Sequence, residues 1–152
     1  MAKKPEASGG AALPAPNVWP SLQARDAPAL IDYLVNCFGF LRTAVYRNGD
    51  RVEHAQLDWP EGGGIMLGSY TPQGPFTLEP GTFAAYVVCS DTRALHQRVV
   101  RNGGLSVSEL REQDYGSLDF SARDTEGNKW TFGTYRGEPR QPAEGPRQPV
   151  DG

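Results

Sequence analysis

The segment RVEHAQLD, residues 51–58, carries the densest group of side chains that could take part in chemistry. If this segment is a β-strand, His54, Gln56 and Asp58 share one face, because successive side chains of a strand point to opposite sides. Two side chains at positions i and i+2 can then reach the same cavity. The pattern predicts a polar patch that could serve a ligand, a metal ion or a proton transfer.

His54 could act as a general base, with Asp114 or Asp119 as its partner. No nucleophile motif or oxyanion-hole motif accompanies it. The other histidine, His96, falls on a predicted helix away from this patch. A lone histidine is more often a hydrogen-bonding residue than a base or a metal ligand, so hydrogen bonding is the favoured interpretation.

The segment RDTEGNKWTFGTY, residues 123–135, could be a cation loop, a phosphate loop or a hairpin. A calcium loop that begins at Asp124 would need a glutamate at its twelfth position, where Tyr135 stands. The glycine and hydroxyl positions of a P-loop are not matched either. The pair Gly127-Asn128 tolerates positive φ between two strand-like runs, which predicts a β-hairpin.

Composition excludes several classes of protein. A net charge of −3 offers no basic patch for nucleic acid. No stretch approaches the apolar length of a membrane span or a signal peptide, so we expect a cytoplasmic protein without a membrane partner. Cys37 and Cys89 lack CxxC spacing and are predicted to be buried free thiols. The ends, 1–16 and 138–152, have the composition of disordered tails around one domain, about 17–137.

The chain contains a hidden duplication. When the sequence is slid along itself so that Asp26 meets Asp91, Gly39 meets Gly104 without a gap. The same displacement, which we call the repeat shift, aligns Glu61-Gly62 with Glu126-Gly127, and IMLGSY (65–70) with WTFGTY (130–135). Because helix-start aspartates, post-helix glycines and strand ends align together, the halves are predicted to be structural repeats.

Each half has the pattern β-α-β-β-β, which predicts an α+β fold of two modules, about 17–70 and 82–136. Asp26 and Asp91 are the predicted N-caps of the two helices. Pro20 indicates that the first strand begins late or lies at an edge. The predicted strands are 18–25, 40–47, 51–59 and 64–70, then 83–90, 105–112, 117–124 and 128–135.

One helix can cover only one face of each sheet, so the other face stays open. We expect the two βαβββ modules to form a cup-shaped mixed sheet with helices on the outer face, and Trp130 and Phe132 to pack under a helix. Such a cup presents an apolar and aromatic surface with scattered hydrogen-bonding groups, as small-molecule pockets do, although some of its side chains could instead close a dimer interface. Strand parity, with Tyr115 entering from a loop, gives the predicted ligand-binding set: Trp19, Ser21, Gln23, His54, Gln56, Met66, Tyr86, Tyr115 and Thr131.

Three segments resemble the vicinal oxygen chelate superfamily, which includes glyoxalase I, extradiol dioxygenases, and the bleomycin-resistance and PhnB-like proteins. They are PSLQARDAPALIDYLVNCFGF (20–40), HAQL (54–57) and YGSLDFSARDTEGNKWTFGTYRG (115–137). In the last segment Thr125 stands where the family usually has proline. The resemblance covers about 17–137, is nearest the bleomycin-resistance-like and PhnB-like branches, and implies paired βαβββ modules and a homodimer.

Enzymes of that superfamily usually bind a divalent metal through a His, Gln or Glu of the first strand and a Glu of the last strand of each half. The resemblance and the repeat shift place these positions near Trp19 and Ala84, and on Met66 and Thr131. These four residues carry, in order, an indole, a methyl group, a thioether and a lone hydroxyl. Such groups do not form the metal shell rich in oxygen and nitrogen that a divalent ion needs. We therefore expect no metal and no other cofactor at these positions.

Two function classes stay open at this stage. The first is a non-catalytic protein that resembles bleomycin-resistance proteins and sequesters an aromatic or natural-product ligand in a cleft at a dimer interface. The second is a glyoxalase-like enzyme, a lyase, isomerase or dioxygenase, that acts on a small organic substrate. A binding protein would return its ligand unchanged and lose affinity on Trp19→Ala or Tyr86→Ala, whereas an enzyme would lose rate on His54→Ala. A housekeeping dimer is a third possibility.

Overall fold

The computed structural model of the protein describes residues 14–142. The first module contains β1 (Ser21–Ala24), α1 (Ala27–Tyr33) with a π-helical continuation (Leu34–Phe38), β2 (Leu41–Asn48), β3 (Arg51–Asp58) and β4 (Gly64–Ser69). The second contains β5 (Ala84–Val88), α2 (Thr92–Arg101), β6 (Arg111–Glu112), β7 (Leu118–Arg123) and β8 (Lys129–Gly133). The predicted α+β fold of two βαβββ modules is confirmed. The predicted tails fall mostly outside the described residues, and no helix within 14–142 is long and apolar enough to cross a membrane.

Each module forms its own four-stranded mixed sheet, in the order β1-β4-β3-β2 and β5-β8-β7-β6. The first strand of each sheet runs parallel to the last, and the other neighbours are antiparallel. A parallel pair needs a crossover connection, which begins in each module with the helix after the first strand. Within the described residues no strand pairing joins the two sheets, so they are not closed into one.

The two helix starts have the same geometry. Asp26 accepts a hydrogen bond from the Ala29 N–H at 3.1 Å, with φ −123° and ψ 79°. Asp91 accepts one from the Ala94 N–H at 3.0 Å, with φ −124° and ψ 82°. Both predicted N-caps are confirmed, and these two residues, which the repeat shift superimposes, share one conformation. The duplication seen in the sequence is a duplication of structure.

The predicted strand at 105–112 was wrong for most of its length, because only Arg111–Glu112 is a strand. Ser106 has a φ of +48°, which breaks the extended backbone. Ser108 then replaces a carbonyl in the ladder with its own side chain: its Oγ accepts from the Ser121 N–H at 2.9 Å, and its N–H donates to the Ser121 carbonyl at 2.8 Å. The alternation of side chains that predicts strands does not reveal a serine hydroxyl that competes with the backbone in this way.

The helix-covered faces of both sheets share one hydrophobic core. Phe38, at the end of the π-helical turn, lies edge-on to Phe132 at 4.9 Å and to Trp130 at 5.8 Å between ring centroids. The Trp59 indole of the first module donates to the Val88 carbonyl of the second at 2.8 Å. Trp130 and Phe132 therefore pack under a helix as predicted, and the helix belongs to the other module.

Both cysteines are free and buried, as predicted. The Cys37 thiol donates to the Val99 carbonyl at 3.6 Å, and Cys89 lies 3.3 Å from the Thr92 hydroxyl. Burial raises the pKa of each thiol. The thiolate is therefore disfavoured, and both side chains serve as small core residues.

Two glutamates clasp the modules together in a reciprocal way. The Glu126 carboxylate accepts from the backbone N–H groups of Arg25 and Asp26, at 2.7 and 3.1 Å. The Glu61 carboxylate accepts from the Ser90 N–H at 2.9 Å and from the Ser90 hydroxyl. Each glutamate thus binds the strand-to-helix turn of the other module, and the repeat shift relates the two sites.

We expect Glu61→Gln to flatten the acid limb of the stability profile. Hydrogen bonding by the Ser90 hydroxyl is the main cause that holds the pKa of Glu61 below its ordinary 4.5. A carboxyl with a lowered folded-state pKa stabilises the protein above its unfolded pKa, and that contribution is lost as pH falls through the folded value. Urea unfolding at a series of acidic pH values measures the slope. Glu109→Gln, at an exposed site, is the control; equal slopes for Glu61→Gln and wild type would contradict the prediction.

Candidate ligand-binding site

Two rows of side chains cross the open faces of the sheets at equivalent positions. The first row is Ser21, Met66 and Gln56, which are register partners across β1, β4 and β3. The second row is Tyr86, Thr131 and Ser121, which are register partners across β5, β8 and β7. The repeat shift carries each member of the first row onto its counterpart in the second. Five of these six residues therefore lie on the faces predicted from strand alternation. The sixth, Ser121, was not in the predicted set.

The two rows do not face each other across the core. Their strand neighbours, such as Leu67 in β4 and Phe132 in β8, are buried in the shared cluster. Because side chains alternate along a strand, both rows lie on sheet faces that are turned away from this core. The structure thus brings the predicted residues together within each module, but it does not bring the two rows of one chain into a common cavity.

The other predicted residues of the first module surround the first row. Gln23 accepts from the Thr77 hydroxyl at 2.7 Å. Trp19 precedes β1, and its indole donates to the Pro16 carbonyl at 2.9 Å. His54 lies two positions from Gln56 on β3 and stacks on Tyr46, with ring centroids 6.0 Å apart.

The remaining polar groups of this face bond to one another. Gln56 donates through Nε2 to Asp58 at 3.0 Å, and the Thr43 hydroxyl donates to the same carboxylate. The proposed base partner Asp119 belongs to β7 in the other sheet, and Asp114 is exposed in the loop before it. The structure therefore does not place either aspartate with His54 on one sheet.

The second module contains a cavity of about 660 Å³ beside the second row. Its walls include three tyrosines, Tyr86, Tyr115 and Tyr135, and we call it the tyrosine cavity; its other lining residues are Val88, Arg136, Gly137 and Glu138. Tyr115 and Tyr135 meet edge to face, with centroids 5.4 Å apart. Two residues predicted from the sequence, one on a strand and one on a loop, are thus brought together. Tyr135 was not in the predicted set.

The Tyr86 ring lies over a glycine and is fixed at its hydroxyl. This oxygen accepts from the Tyr135 N–H at 3.0 Å and lies 3.4 Å from the Ser117 Oγ. A Cβ at Gly133 would overlap the Tyr86 hydroxyl and would lie 2.9 Å from the Asp119 Cβ. Glycine at this position therefore leaves room for the Tyr86 hydroxyl beside the cavity.

Asp119 is a buried carboxylate beside the tyrosine cavity, with 8% of its surface exposed. Its Oδ1 accepts from Gln113 Nε2 at 3.0 Å, and its Oδ2 accepts from the Tyr115 hydroxyl at 3.4 Å. Desolvation, with the Asp119 charge next in importance, raises the pKa of Tyr115. Desolvation, followed by the bond to Glu138, raises the pKa of Tyr135. Both phenols therefore remain protonated at neutral pH.

The segment 123–135 is a hairpin and not a cation loop. Asp124 is 2% exposed, and its carboxylate accepts four hydrogen bonds inside its own turn. The donors are the Glu126 N–H (2.9 Å), the Asn128 N–H (3.0 Å), Asn128 Nδ2 (2.9 Å) and the Trp130 indole (2.9 Å). These four N–H groups occupy the oxygens that a cation would need. The antiparallel pairing of β7 with β8 on either side of the turn confirms the predicted hairpin.

The two positions that the resemblance assigns to metal ligands on the last strands lie in the middle of the two rows. Met66 has Ser21 and Gln56 as neighbours, and Thr131 has Tyr86 and Ser121. Gln56 is the one side chain of these rows that is of the His, Gln or Glu type. The thioether, hydroxyls and phenol beside it do not complete a divalent-metal shell rich in oxygen and nitrogen. Within residues 14–142 no group of three His, Cys, Asp or Glu side chains is arranged to hold a metal. The donor set at these positions does not fit the metal of the superfamily's enzymes.

The paired modules and their open faces agree with a comparison of the sequence to family models. Residues 18–132 match the model of the Glyoxalase/Bleomycin resistance protein/Dioxygenase superfamily. The chain belongs to this superfamily. This match spans both modules, from Val18 to Phe132 in β8. A search of curated proteins found no match to the chain.

Solved structures of other proteins share this fold. TioX from Micromonospora sp. ML1 is 28% identical, with a TM-score of 0.59, covering 74% of this chain and 93% of TioX. TnmS3, an antibiotic binding protein from Streptomyces sp. CB03234, is 19% identical, with a TM-score of 0.58. The match covers 74% of this chain and 88% of TnmS3. A glyoxalase-related enzyme from Clostridium phytofermentans is 19% identical, with a TM-score of 0.63. The match covers 82% of this chain and 98% of that enzyme. The last two show likeness of fold alone, and one of them is described as a binding protein and the other as an enzyme.

Three residues of the site were outside the set predicted from sequence. Ser121 could have been found from the duplication, since the repeat shift carries Gln56 onto it. Tyr135 and Ser117 could have been found from strand alternation, since the predicted strands 128–135 and 117–124 place them on the faces of Thr131 and Ser121. Their hydrogen-bond contact with Tyr86 depends on packing against β5 and does not follow from alternation. No spacing in the sequence records that contact.

Proposed function

We propose that this member of the superfamily binds an aromatic small molecule, such as an antibiotic-like natural product, and releases it unchanged. The observation that carries the proposal is the tyrosine cavity. Its volume of about 660 Å³ lies within the range of small-molecule pockets, and three aromatic rings line it. The description of TnmS3 as an antibiotic binding protein supports this class of ligand at the level of fold.

The arrangement of polar groups around the cavity suits holding a ring better than transferring a proton. The Tyr86 hydroxyl is engaged by Tyr135 and Ser117, and the Asp119 carboxylate by Gln113 and Tyr115. Groups fixed in this way keep their orientation when a ligand enters. His54, the candidate base, belongs to the other sheet.

The proposed cleft is completed by a second copy of the chain. Tyr86 and Tyr115, on the open side of the second sheet, are 43% and 59% exposed. Exposed aromatic surface beside a cavity is typical of an interface or a ligand site. Since the rows of one chain do not face each other, a two-fold homodimer would place the first row of each copy opposite the second row of its partner and form two equal clefts.

A mixed-dimer experiment tests this arrangement. We expect Met66→Arg and Thr131→Arg, at equivalent positions of the two rows, each to abolish saturable quenching of tryptophan fluorescence by the best compound of a panel of planar aromatic antibiotics that includes metal-free bleomycin. When the two variants are unfolded and refolded together, about one quarter of the clefts are free of both substitutions if each cleft combines two chains. Binding capacity should return to that fraction of the wild-type value.

The controls separate the parts of the proposal. Light scattering during gel filtration should show a dimer for the wild type and for both variants. A mixture that stays inactive although mixed dimers form would place the cleft within one chain. Mass spectrometry of the recovered compound should show it unaltered; a product that forms only with active protein would favour the enzyme hypothesis instead.

A further inference from the structure

We propose that the tyrosine cavity is a binding site for an organic cation, an ammonium group attached to an aromatic or apolar body. This inference rests on the proposed function and specifies which part of the ligand enters the cavity of the second module. It is carried by the ring arrangement of three tyrosines, by a buried carboxylate behind one of them, and by the position of the neighbouring arginine.

Two of the three rings form walls of different orientation. Tyr115 and Tyr135 are inclined by 70° to each other, and Tyr86 lies over Gly133 on the sheet. Aromatic rings attract a cation through the negative charge of their faces, and walls at different angles can contact several sides of one ammonium group. The hydroxyl of Tyr86 is held by Ser117 and by the Tyr135 backbone, so this ring is fixed before a ligand arrives.

The carboxylates near the cavity are available to interact with a cationic ligand. Asp119, 8% exposed, is bonded only to the neutral donors Gln113 and Tyr115, and no lysine or arginine nitrogen of the described chain lies within salt-bridge distance of it. Glu138 lines the cavity and accepts from the Tyr135 hydroxyl at 3.2 Å. A buried carboxylate without a cation is stabilised when a cationic ligand approaches.

The positively charged residue that lines the cavity, Arg136, contacts Glu61 and Ser90. Arg136 lines the cavity, but its Nη2 lies 3.8 Å from the Glu61 carboxylate and 3.4 Å from the Ser90 hydroxyl, in the clasp between the modules. Its charge is therefore partly balanced by Glu61. The raised pKa values of Tyr115 and Tyr135 agree with phenols that stay neutral and leave the ligand charge to the carboxylates.

The test compares two probes of the same shape, benzyltrimethylammonium and its uncharged isostere neopentylbenzene, on the full chain. Titrations followed by NMR shifts of the tyrosine and tryptophan signals give the two dissociation constants. We expect the ammonium compound to bind about tenfold or more tightly than the isostere, since the ring faces and Asp119 act on its charge. Equal binding, or tighter binding of the isostere, would overturn the cation site and leave aromatic binding intact.

Variants locate the effect. Asp119→Asn should weaken ammonium binding about tenfold and leave the isostere unchanged, whereas Asp32→Asn, which removes the same charge from the exposed side of α1, should change neither. Tyr115→Leu should weaken ammonium binding more than Tyr115→Phe, which keeps the ring. Ammonium binding that is insensitive to both Asp119→Asn and Tyr115→Leu would place the cation elsewhere and overturn the inference. If neither probe binds the wild type, the cation site fails, and failure of the antibiotic panel as well would remove the proposed function.

Discussion

Asp124→Ala is expected to lower the free energy of unfolding by about 4 kcal/mol, because it leaves several buried N–H groups without acceptors. The carboxylate accepts from two backbone groups, from the Asn128 amide and from the Trp130 indole, and it is 2% exposed. Each buried donor that loses its partner costs about 1–3 kcal/mol, and water that enters the turn recovers part of this cost. Urea unfolding monitored by tryptophan fluorescence measures the change.

The effect should extend beyond the turn. Asn128 Oδ1 accepts from the Phe83 N–H at 3.0 Å at the start of the second module, and Trp130 is completely buried in the shared core. Loss of Asp124 therefore loosens both the hairpin and the tryptophan that joins the modules. Asp50→Ala, at an exposed position of the β2–β3 turn, is the control and should change stability by less than about 0.5 kcal/mol. A loss below about 1 kcal/mol for Asp124→Ala would show that the turn does not depend on its carboxylate.

Gly133→Ala is expected to weaken binding of an aromatic ligand at least about tenfold and to cost about 1–3 kcal/mol of stability. The new methyl group would overlap the Tyr86 hydroxyl and lie 3.0 Å from the Ser117 Oγ. The ring must then leave its position on the sheet and give up its bond from the Tyr135 N–H. Because Tyr86 forms the floor of the tyrosine cavity, its shape changes with the ring.

The duplication supplies a matched control for this substitution. Gly68 occupies the equivalent position of the first module under the repeat shift, and a Cβ there would lie 3.2 Å from the Glu53 carbonyl, a contact that a small shift relieves. Gly68→Ala should therefore cost less and leave the second-module cavity unchanged. The double variant Gly133→Ala with Tyr86→Phe removes the overlapping hydroxyl and should recover part of the stability. A double variant as destabilised as the sum of the single ones would mean that the methyl group acts through Asp119 instead.

The sequence alone determined the local structure well, and the reason is that local structure follows from neighbouring residues. Asp26 and Asp91 cap helices because the carboxylate of an aspartate at the N-cap position can accept from the free N–H three residues later. The turn at Gly127 follows from the tolerance of glycine for positive φ, and its φ is 94°. The segment 105–112 failed because Ser108 bonds to β7 through its side chain, which strand periodicity does not encode.

The site was predictable in part for the same reason. Alternation along strands assigned Met66 and Thr131 to the open faces. The resemblance to the superfamily implies that these are positions where its enzymes carry metal ligands, which a thioether and a lone hydroxyl are not. That Tyr135 and Ser117 gather around Tyr86 was not predictable, because their meeting depends on how loops far apart in sequence pack on β5. The local rules contain no such information.

The arrangement of the modules was decided only by tertiary structure. Each module has one apolar face, and the sequence predicts that this face must be buried, but it does not say against what. In the folded chain Phe38 of the first module meets Trp130 and Phe132 of the second, so the two helix-covered faces bury each other. The sequence determined the repeat, its caps and its hairpin. The packing of these aromatic rings determined that the two open faces turn away from the core.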